Sequence, residues 1–536
     1  MLGALALLSA VGGEAMAEER ARKVTNLQEL RQERSRLAHR TRRIIFNNDG
    51  NEPVYYLKEA TAKELLDCRT TALKGTHVDS IFYCTWSSGF GYFTHRTKVG
   101  QIFDRTDNPE HPDNKGGGLS RNKTAEFIRQ GTDPLEIMVD FCKENGIEVF
   151  WSLRMNDTHD AWGSWYGDLL FPQVKKDHPE WLVASKEKRS KHGGWSAMDF
   201  GHAEVRDLTF RFFEEVCENY DVDGIEMDFC RHPVYFKNPA WGIDAGPTEW
   251  EQMTEMVRRV REMTERVGLK RGRPILVAAR VPDSVEYCKA MGLDLERWLQ
   301  EGLIDLLAVS DYFRLNPWKV SVDLGRKYGV PVYPCLSETR MRDDEARKTR
   351  SSIECYRSRA MNAWAAGASG IYLFNSFNPR SPLWSELGDP KVLETLDKVY
   401  VIGARGVAVL NFWMADGEKR FMKRPTLSPE RPVALKPGEA FRVPLEVGEE
   451  VREKAGATPR VTLQVRVADL PEGALLQVTL NDKPLSGAVR EGDWFTYTVA
   501  PAAVRKGTNE IETVLQPDTP DGAKLLDVLL WVRYNR

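Results

Sequence analysis

Between residues 41 and 400 the hydrophobic positions fall into short apolar runs separated by longer stretches of helical period. The runs are Arg43–Asn47, Ser80–Trp86, Ile147–Arg154, Gly224–Phe229, Ile275–Arg280, Leu306–Ser310, Val330–Cys335 and Ile371–Asn375. Their length, their β-branched and aromatic content and the turn residues around them predict strands buried on both faces. Between them, apolar residues spaced for one helix face predict helices over Pro134–Glu144, Ala203–Tyr220, Glu249–Val267, Leu293–Gln300 and Glu354–Ala366. This alternation predicts an α/β fold, a (β/α)8 TIM barrel over residues 41–410. An open doubly wound sheet would alternate too, but no glycine-rich phosphate loop follows an early strand.

The period changes near residue 425. Leu427–Pro432 and Lys436-Pro437-Gly438 read as linker and turns. Beyond them come alternating runs such as Val461–Val467 and Leu476–Leu480, with turns at Asn481-Asp482 and Asp518–Gly522, which predict a β-sandwich over residues 425–536. That unit either binds glycan or braces the barrel. At the other end, residues 18–40 read as a charged helix. The apolar run Leu2–Val11 followed by Ala15-Met16-Ala17 reads as a secretory signal over residues 1–17, which predicts a secreted or periplasmic bacterial protein. The run is too short to span a bilayer, and no later segment is apolar enough to do so.

Charge narrows the partners. Lys and Arg number 75 against 78 acids, a net charge of −3, which gives no electrostatic case for nucleic acid. The 8 cysteines include no CxxC pair, a usage that fits buried thiols. The 9 histidines form no HxxxH or HxH pattern, and no EF-hand spacing occurs, so neither a metal nor a cofactor is expected. A GxSxG nucleophile elbow is absent, which disfavours an esterase.

The segment Asp223–Pro233 carries the most chemistry. Residues two apart on a strand share a face, so Glu226 and Asp228 point one way and Ile225, Met227 and Phe229 the other. Acids facing a protein interior must be paired, hydrogen-bonded or used. In a (β/α)8 barrel the working residues gather at the C-terminal strand ends, and here those ends are polar. They hold Trp86 after the second strand, and Arg154, Asn156, Asp157 and His159 after the third. Asp228, Arg231 and His232 end the fourth, and Arg280, with Glu286 just beyond, the fifth. Asp311 and Tyr312 end the sixth, Glu338 and Arg340 the seventh, and Asn375 the eighth. Amides, carboxylates and aromatics in one ring suit a polysaccharide or oligosaccharide, whose hydroxyls and ring faces they match. Arg154, Arg231, Arg280 and Arg340 either bind an acidic group on that sugar or neutralise neighbouring acids. Trp86 is either a stacking platform or core filling.

Glycoside hydrolysis needs one protonated and one ionised carboxyl group. Asp228 at the strand tip is the first choice for the ionised member, with Glu226 below it orienting it or shaping its pKa. Glu338, Asp311 and Glu286 are the candidates for the partner, Glu338 being closest to its strand end; the competing role for each is to cap a helix.

The stretches His178-Pro179-Glu180-Trp181, Met198–Gly201, Val205-Arg206 and Tyr220–Pro233 resemble the bacterial glycosyl-hydrolase-like family 10, whose pattern runs from HPEW to YDVDGIHLDYIRYP. The resemblance implies a secreted TIM-barrel carbohydrate-active enzyme. It places Asp228 on the family's strand-end aspartate and Arg231 and Pro233 on its RYP. Glu226 stands where the family often has histidine, and Phe229 replaces the usual tyrosine. The function expected is therefore cleavage of O-glycosidic bonds by a two-carboxylate mechanism. The alternative is a non-catalytic glycan-binding or envelope protein on a degenerate barrel.

Overall fold

Eight parallel strands close a barrel: β1 (Ile44–Asn48), β2 (Val78–Tyr83), β3 (Glu148–Arg154), β4 (Gly224–Asp228), β5 (Leu276–Val281), β6 (Leu306–Val309), β7 (Val332–Leu336) and β8 (Ile371–Leu373). Each pairs with its neighbours in sequence, and β8 returns to β1. This computed structural model describes residues 23–105, 121–163, 165–310, 313–406, 410–454 and 456–534. The signal-like segment 1–17 lies outside the described residues, as do Asp311 and Tyr312.

The eight strands coincide with the eight apolar runs because each run is buried on both sides. Outward positions such as Ile225, Met227, Val277 and Val309 join the core under the helices. Inward positions such as Phe82, Phe150, Ala278, Ala308 and Tyr372 form a separate core inside the barrel. The outer layer includes α1 (Leu27–Ala38), α2 (Pro134–Glu144), α3 (Ala203–Asn219), α4 (Pro247–Arg271), α5 (Leu295–Gln300), α6 (Trp318–Tyr328) and α7 (Ile353–Ala365). Helix α6 has no counterpart among the expected helices; Gly325 lies inside it and Gly329 caps its C-terminus in the left-handed conformation.

The floor of the barrel is polar but closed. Arg42 donates through Nε and Nη2 to both oxygens of Glu148 at 2.6 and 2.8 Å, and Ser80 donates to the same carboxylate at 2.5 Å. Above it Phe150 stacks on Phe82 with ring centroids 4.3 Å apart. Gly224, in register with Phe150, leaves room for that ring: a Cβ there would lie 2.2 Å from it.

Past the barrel lie β9 (Lys398–Val401), β10 (Ala440–Val447), β11 (Pro459–Ala468), β12 (Leu476–Leu480), β13 (Trp494–Val499), β14 (Gly507–Leu515) and β15 (Lys524–Tyr534). They form two antiparallel sheets, one running β9-β15-β11-β13 and the other β10-β14-β12, over a shared core that includes Leu445, Leu463, Ile511 and Leu530. Strand β9 pairs with β15, so the chain enters these sheets before the linker expected near residue 427. Its four residues are too few for periodicity to set them apart from the barrel. The buried pair Arg350–Asp527 ties the barrel side to β15, with nitrogens donating at 2.8 and 2.7 Å. All 8 cysteines are free, and all but Cys68 are buried. Among the described residues no helix is long and apolar enough to cross a membrane.

Candidate active site at the strand ends

Register sets the centre of the site. Arg154 of β3, Asp228 of β4 and Arg280 of β5 are aligned side by side, and Ser152, Glu226 and Ala278 form the row beneath. Ser152, Arg154 and Arg280 lie an even step from inner-core residues of their own strands, and Glu226 and Asp228 alternate with Ile225 and Met227 of the outer core, so all point inward.

Asp228 is gripped by Arg280. Nε donates to Oδ1 at 2.9 Å and Nη2 to Oδ2, and the amides of Cys230 and Arg231 donate to Oδ1 at 3.0 and 3.3 Å. Arg280 is fully buried over the rings of Phe374 and Tyr372. Arg154 donates to Asp49 Oδ1 at 2.5 Å and to the Ser87 carbonyl. Burial raises the Asp49 carboxyl, but Arg154, Arg231, Arg69 and Arg280 outweigh it and hold the group below the usual carboxylate range. Arg154 and Arg280 therefore neutralise acids within the site instead of lining an open groove. Next to Asp49, Gly50 has φ +61°, and a Cβ there would fall 1.5 Å from the Cys84 carbonyl oxygen, so only glycine holds this loop against the end of β2.

Glu226 lies one row deeper and is fully buried. It accepts from Tyr372 Oη at 2.8 and 3.0 Å and from Ser152 Oγ at 2.5 Å. Burial pushes its carboxyl up to about 7; Arg280 opposes that rise and the Asp228 charge adds to it.

The remaining expected residues divide into locks and rim. Trp86 is 3% exposed, stacked on Phe103 at 4.2 Å and tilted against Tyr55, so it is core filling and not a platform. Asn156 donates to the carbonyls of Met198 and Val234 at 2.8 and 2.6 Å and accepts from the Met198 amide, which fixes two loops. Asp157 accepts from His159 Nδ1 at 2.7 Å and from the Gly89 amide at 2.7 Å. His232 Nδ1 accepts from the Thr158 amide at 2.8 Å, and burial pushes this imidazole down to about 3, so it is neutral. Arg231 Nη2 donates to His159 Nε2 at 2.8 Å.

Asp157, His159 and His232 offer ligand atoms within 4.8 Å of one another. Those donor types suit a transition metal. Here, however, their lone pairs serve each other and the backbone, and the cationic Arg231 occupies His159 Nε2. The group works as a hydrogen-bonded brace between the ends of β3 and β4.

Glu338 follows β7 with its side chain 32% exposed. Asn375 Nδ2 donates to it at 3.0 Å, Arg340 Nε donates to the same oxygen, and Arg405 Nη2 lies 3.8 Å away. Burial raises this carboxyl, but Arg405 and Arg340 hold it below its ordinary value. Glu286 is exposed on the first turn of helix Val285–Ala290 and accepts from Ser284, the residue capping that turn. The cap is Ser284, which accepts from the Tyr287 amide, and Glu286 makes no hydrogen bond or ion pair with the Asp228 group.

Three partners were not singled out from the sequence. Ser152 and Tyr372 follow from strand periodicity once the barrel is known. Arg405 reaches Glu338 from beyond the barrel strands, and no local pattern signals that. One further feature marks the mouth: Trp86, His232, Ser310, Arg340 and Asn375 all have positive φ, between 50° and 88°. They lie in the loops just past the ends of β2, β4, β6, β7 and β8.

Residues 117–242 match the family model described as Glycosyl hydrolase-like 10, which shows a resemblance to that family through the segment carrying β4. No curated protein matches the chain. Among solved structures, it is similar to the cycloisomaltooligosaccharide glucanotransferase of Paenibacillus sp. complexed with cycloisomaltoheptaose, at 10% identity and a TM-score of 0.35, over 92% of this chain and 57% of that one. It is similar to the GH36 alpha-galactosidase AgaA of Geobacillus stearothermophilus at 10% identity and a TM-score of 0.36, over 93% of this chain and 56% of that one. The PgaB (BpsB) glycoside hydrolase domain of Bordetella bronchiseptica aligns at 10% identity and a TM-score of 0.39, over 66% of this chain and 99% of that domain. The chain thus spans little more than half the length of the first two.

Proposed function

We propose that this protein is a glycoside hydrolase that cleaves O-glycosidic bonds of a polysaccharide or oligosaccharide at the C-terminal mouth of the barrel. The observation that carries this reading is the carboxyl pair on β4. Arg280 forks onto both oxygens of Asp228, while burial keeps Glu226 protonated to about pH 7. Neighbouring carboxyl groups in such different surroundings are a feature of acid–base machinery. Asp228 is the ionised member that meets the sugar, and Glu226 sets the charge beneath it. Glu338 is the second carboxyl on the described rim. Its resting surroundings favour the ionised form, so a proton-donor role requires substrate to displace the exposed Arg340. His159, Arg231 and Asn375 are the sugar contacts within reach of the rim.

A second reading has its own support. Both Asp228 and Glu338 are engaged by arginines, which is how a barrel that binds glycan without cutting it would hold its acids. Screening neutral, uronic and sulfated polysaccharides for cleavage separates the two readings. For an enzyme, Asp228→Asn lowers turnover by about 10²–10⁴-fold while sugar affinity and the circular dichroism spectrum stay unchanged. A wild type that binds a glycan and cleaves none in the panel establishes the second reading.

A further inference from the structure

Three aromatic side chains stand exposed among the described residues: Tyr56 at 53%, Trp162 at 65% and Phe412 at 38%. All three lie at the C-terminal end of the barrel. Tyr56 comes after β1, and Trp162 ends the short turn His159–Trp162 that comes after β3. Phe412 arrives from beyond the barrel strands. Its carbonyl accepts from the amide of Gly193, in the β3–β4 connection, at 2.8 Å. Its neighbour Trp413 is tilted over His232, past the end of β4, with ring centroids 5.4 Å apart.

Trp162 and Phe412 meet. Their rings lie 20° from parallel with centroids 6.2 Å apart. Both are carried on anchored backbone. Beside Trp162, Asp160 and Ala161 are buried; Lys175 Nζ donates to Asp160 Oδ2 at 2.6 Å, and Trp195 Nε1 donates to the Ala161 carbonyl at 3.1 Å. Beside Phe412, Trp413 is buried, and His192 Nδ1 donates to the Asn411 carbonyl at 3.1 Å. The chain therefore holds two aromatic faces in water from positions whose neighbours are in the core. A single exposed apolar side chain is ordinary, but a paired set at one end of the molecule marks a binding surface.

The pair is joined to the rim. His159 begins the turn that Trp162 ends, and three residues of such a turn rise by about 6 Å. His159 Nε2 accepts from Arg231, whose amide donates to Asp228.

We propose that Trp162 and Phe412 form a stacking platform for a pyranose ring of the saccharide chain, just outside the mouth on the β3–β4 side. A pyranose carries C–H groups on its faces and hydroxyls around its edge, so aromatic planes beside polar groups suit it. Arg189 supplies one such group: its Nη2 lies 3.8 Å from where a Cβ on Gly163, next to Trp162, would stand. Area favours a sugar over a protein partner. The exposed parts of the two rings amount to at most about 250 Å², against the roughly 600–1,000 Å² per partner that a stable protein interface buries. The platform rests on the glycoside reading for the class of its ligand, but its test does not require cleavage.

The test is affinity electrophoresis of the full chain in native gels containing mixed-linkage β-glucan, arabinoxylan, galactomannan, polygalacturonate or a sulfated galactan. At least one polymer should retard the wild type. Trp162→Ala and Phe412→Ala should each weaken that affinity, and the double variant by at least about tenfold, while Trp162→Tyr keeps most of it. Because both side chains are exposed, the circular dichroism spectrum and urea midpoint should not change. Three results overturn the platform: retardation by none of the polymers, equal retardation of wild type and Trp162→Ala/Phe412→Ala, or a wild type that sediments as a dimer where Trp162→Ala is a monomer. Cleavage of a polymer that retards the double variant as strongly as the wild type removes the platform and leaves the glycosidase. Retardation that depends on Trp162 without any cleavage keeps the platform and favours the glycan-binding reading.

Discussion

Glu226 and Asp228 sit two residues apart in different surroundings, one among hydroxyls and the other in an arginine fork. Glu226 holds its proton to about pH 7 against an ordinary value of 4.5. The unfolded chain therefore gives up that proton first. Between those values the native state binds more protons, so this carboxyl's contribution is complete below pH 4.5 and is lost as pH rises through 7. Urea unfolding at pH 5 and pH 8 should show wild type losing more stability with rising pH than Glu226→Gln, which cannot titrate. A second expectation concerns Glu338, which Arg340 and Arg405 hold below its ordinary value. Arg340→Ala removes one of those charges and raises the carboxyl's pKa. If Glu338 donates a proton in turnover, the alkaline limb of the pH–rate profile moves up; if it acts as base, the acid limb moves up instead. At this scale the shared face of Glu226 and Asp228 was readable from a period of two. Trp86 was not readable, because its burial depends on Phe103 folding back over it.

At the scale of elements, all eight barrel strands are legible, with their ends displaced by up to three residues. Each strand is buried on both faces, so each reads as an apolar run bounded by polar ends. The helices are less complete: α6 has no counterpart among the expected ones. The rows within the barrel were not legible, because register between strands decides which inward residues meet. Gly224 shows what register demands. It exists to admit Phe150, and a Cβ would overlap that ring. Gly224→Ala should destabilise the fold by about 1–3 kcal/mol through overpacking, measured as a lower urea midpoint. It should also displace Glu226 and Asp228 on the same strand and so lower activity beyond the stability loss.

For the whole molecule, the C-terminal sheets are fastened to the barrel through buried polar contacts. Arg350–Asp527 is the most buried of these, and α7 adds Ser358 Oγ donating to the Val399 carbonyl at 2.6 Å. Sequence offered no sign of this pairing, which joins residues 177 apart. Arg350→Ala strands a buried aspartate, a change that costs about 3–5 kcal/mol. Differential scanning calorimetry should show one cooperative transition in wild type and a lower or split one in the variant. The left-handed residues that ring the mouth bear on the choice between enzyme and binder. Each such conformation costs a non-glycine residue on the order of 1–3 kcal/mol, and five of them crown one end of one barrel. A scaffold selected only for durability has an easy remedy in glycine. This chain keeps tryptophan, histidine, serine, arginine and asparagine there, so the rim at its strand ends is also its reserve of unspent stability. Glycine substitutions at Ser310 or Asn375 are where a sturdier version of the protein would be sought.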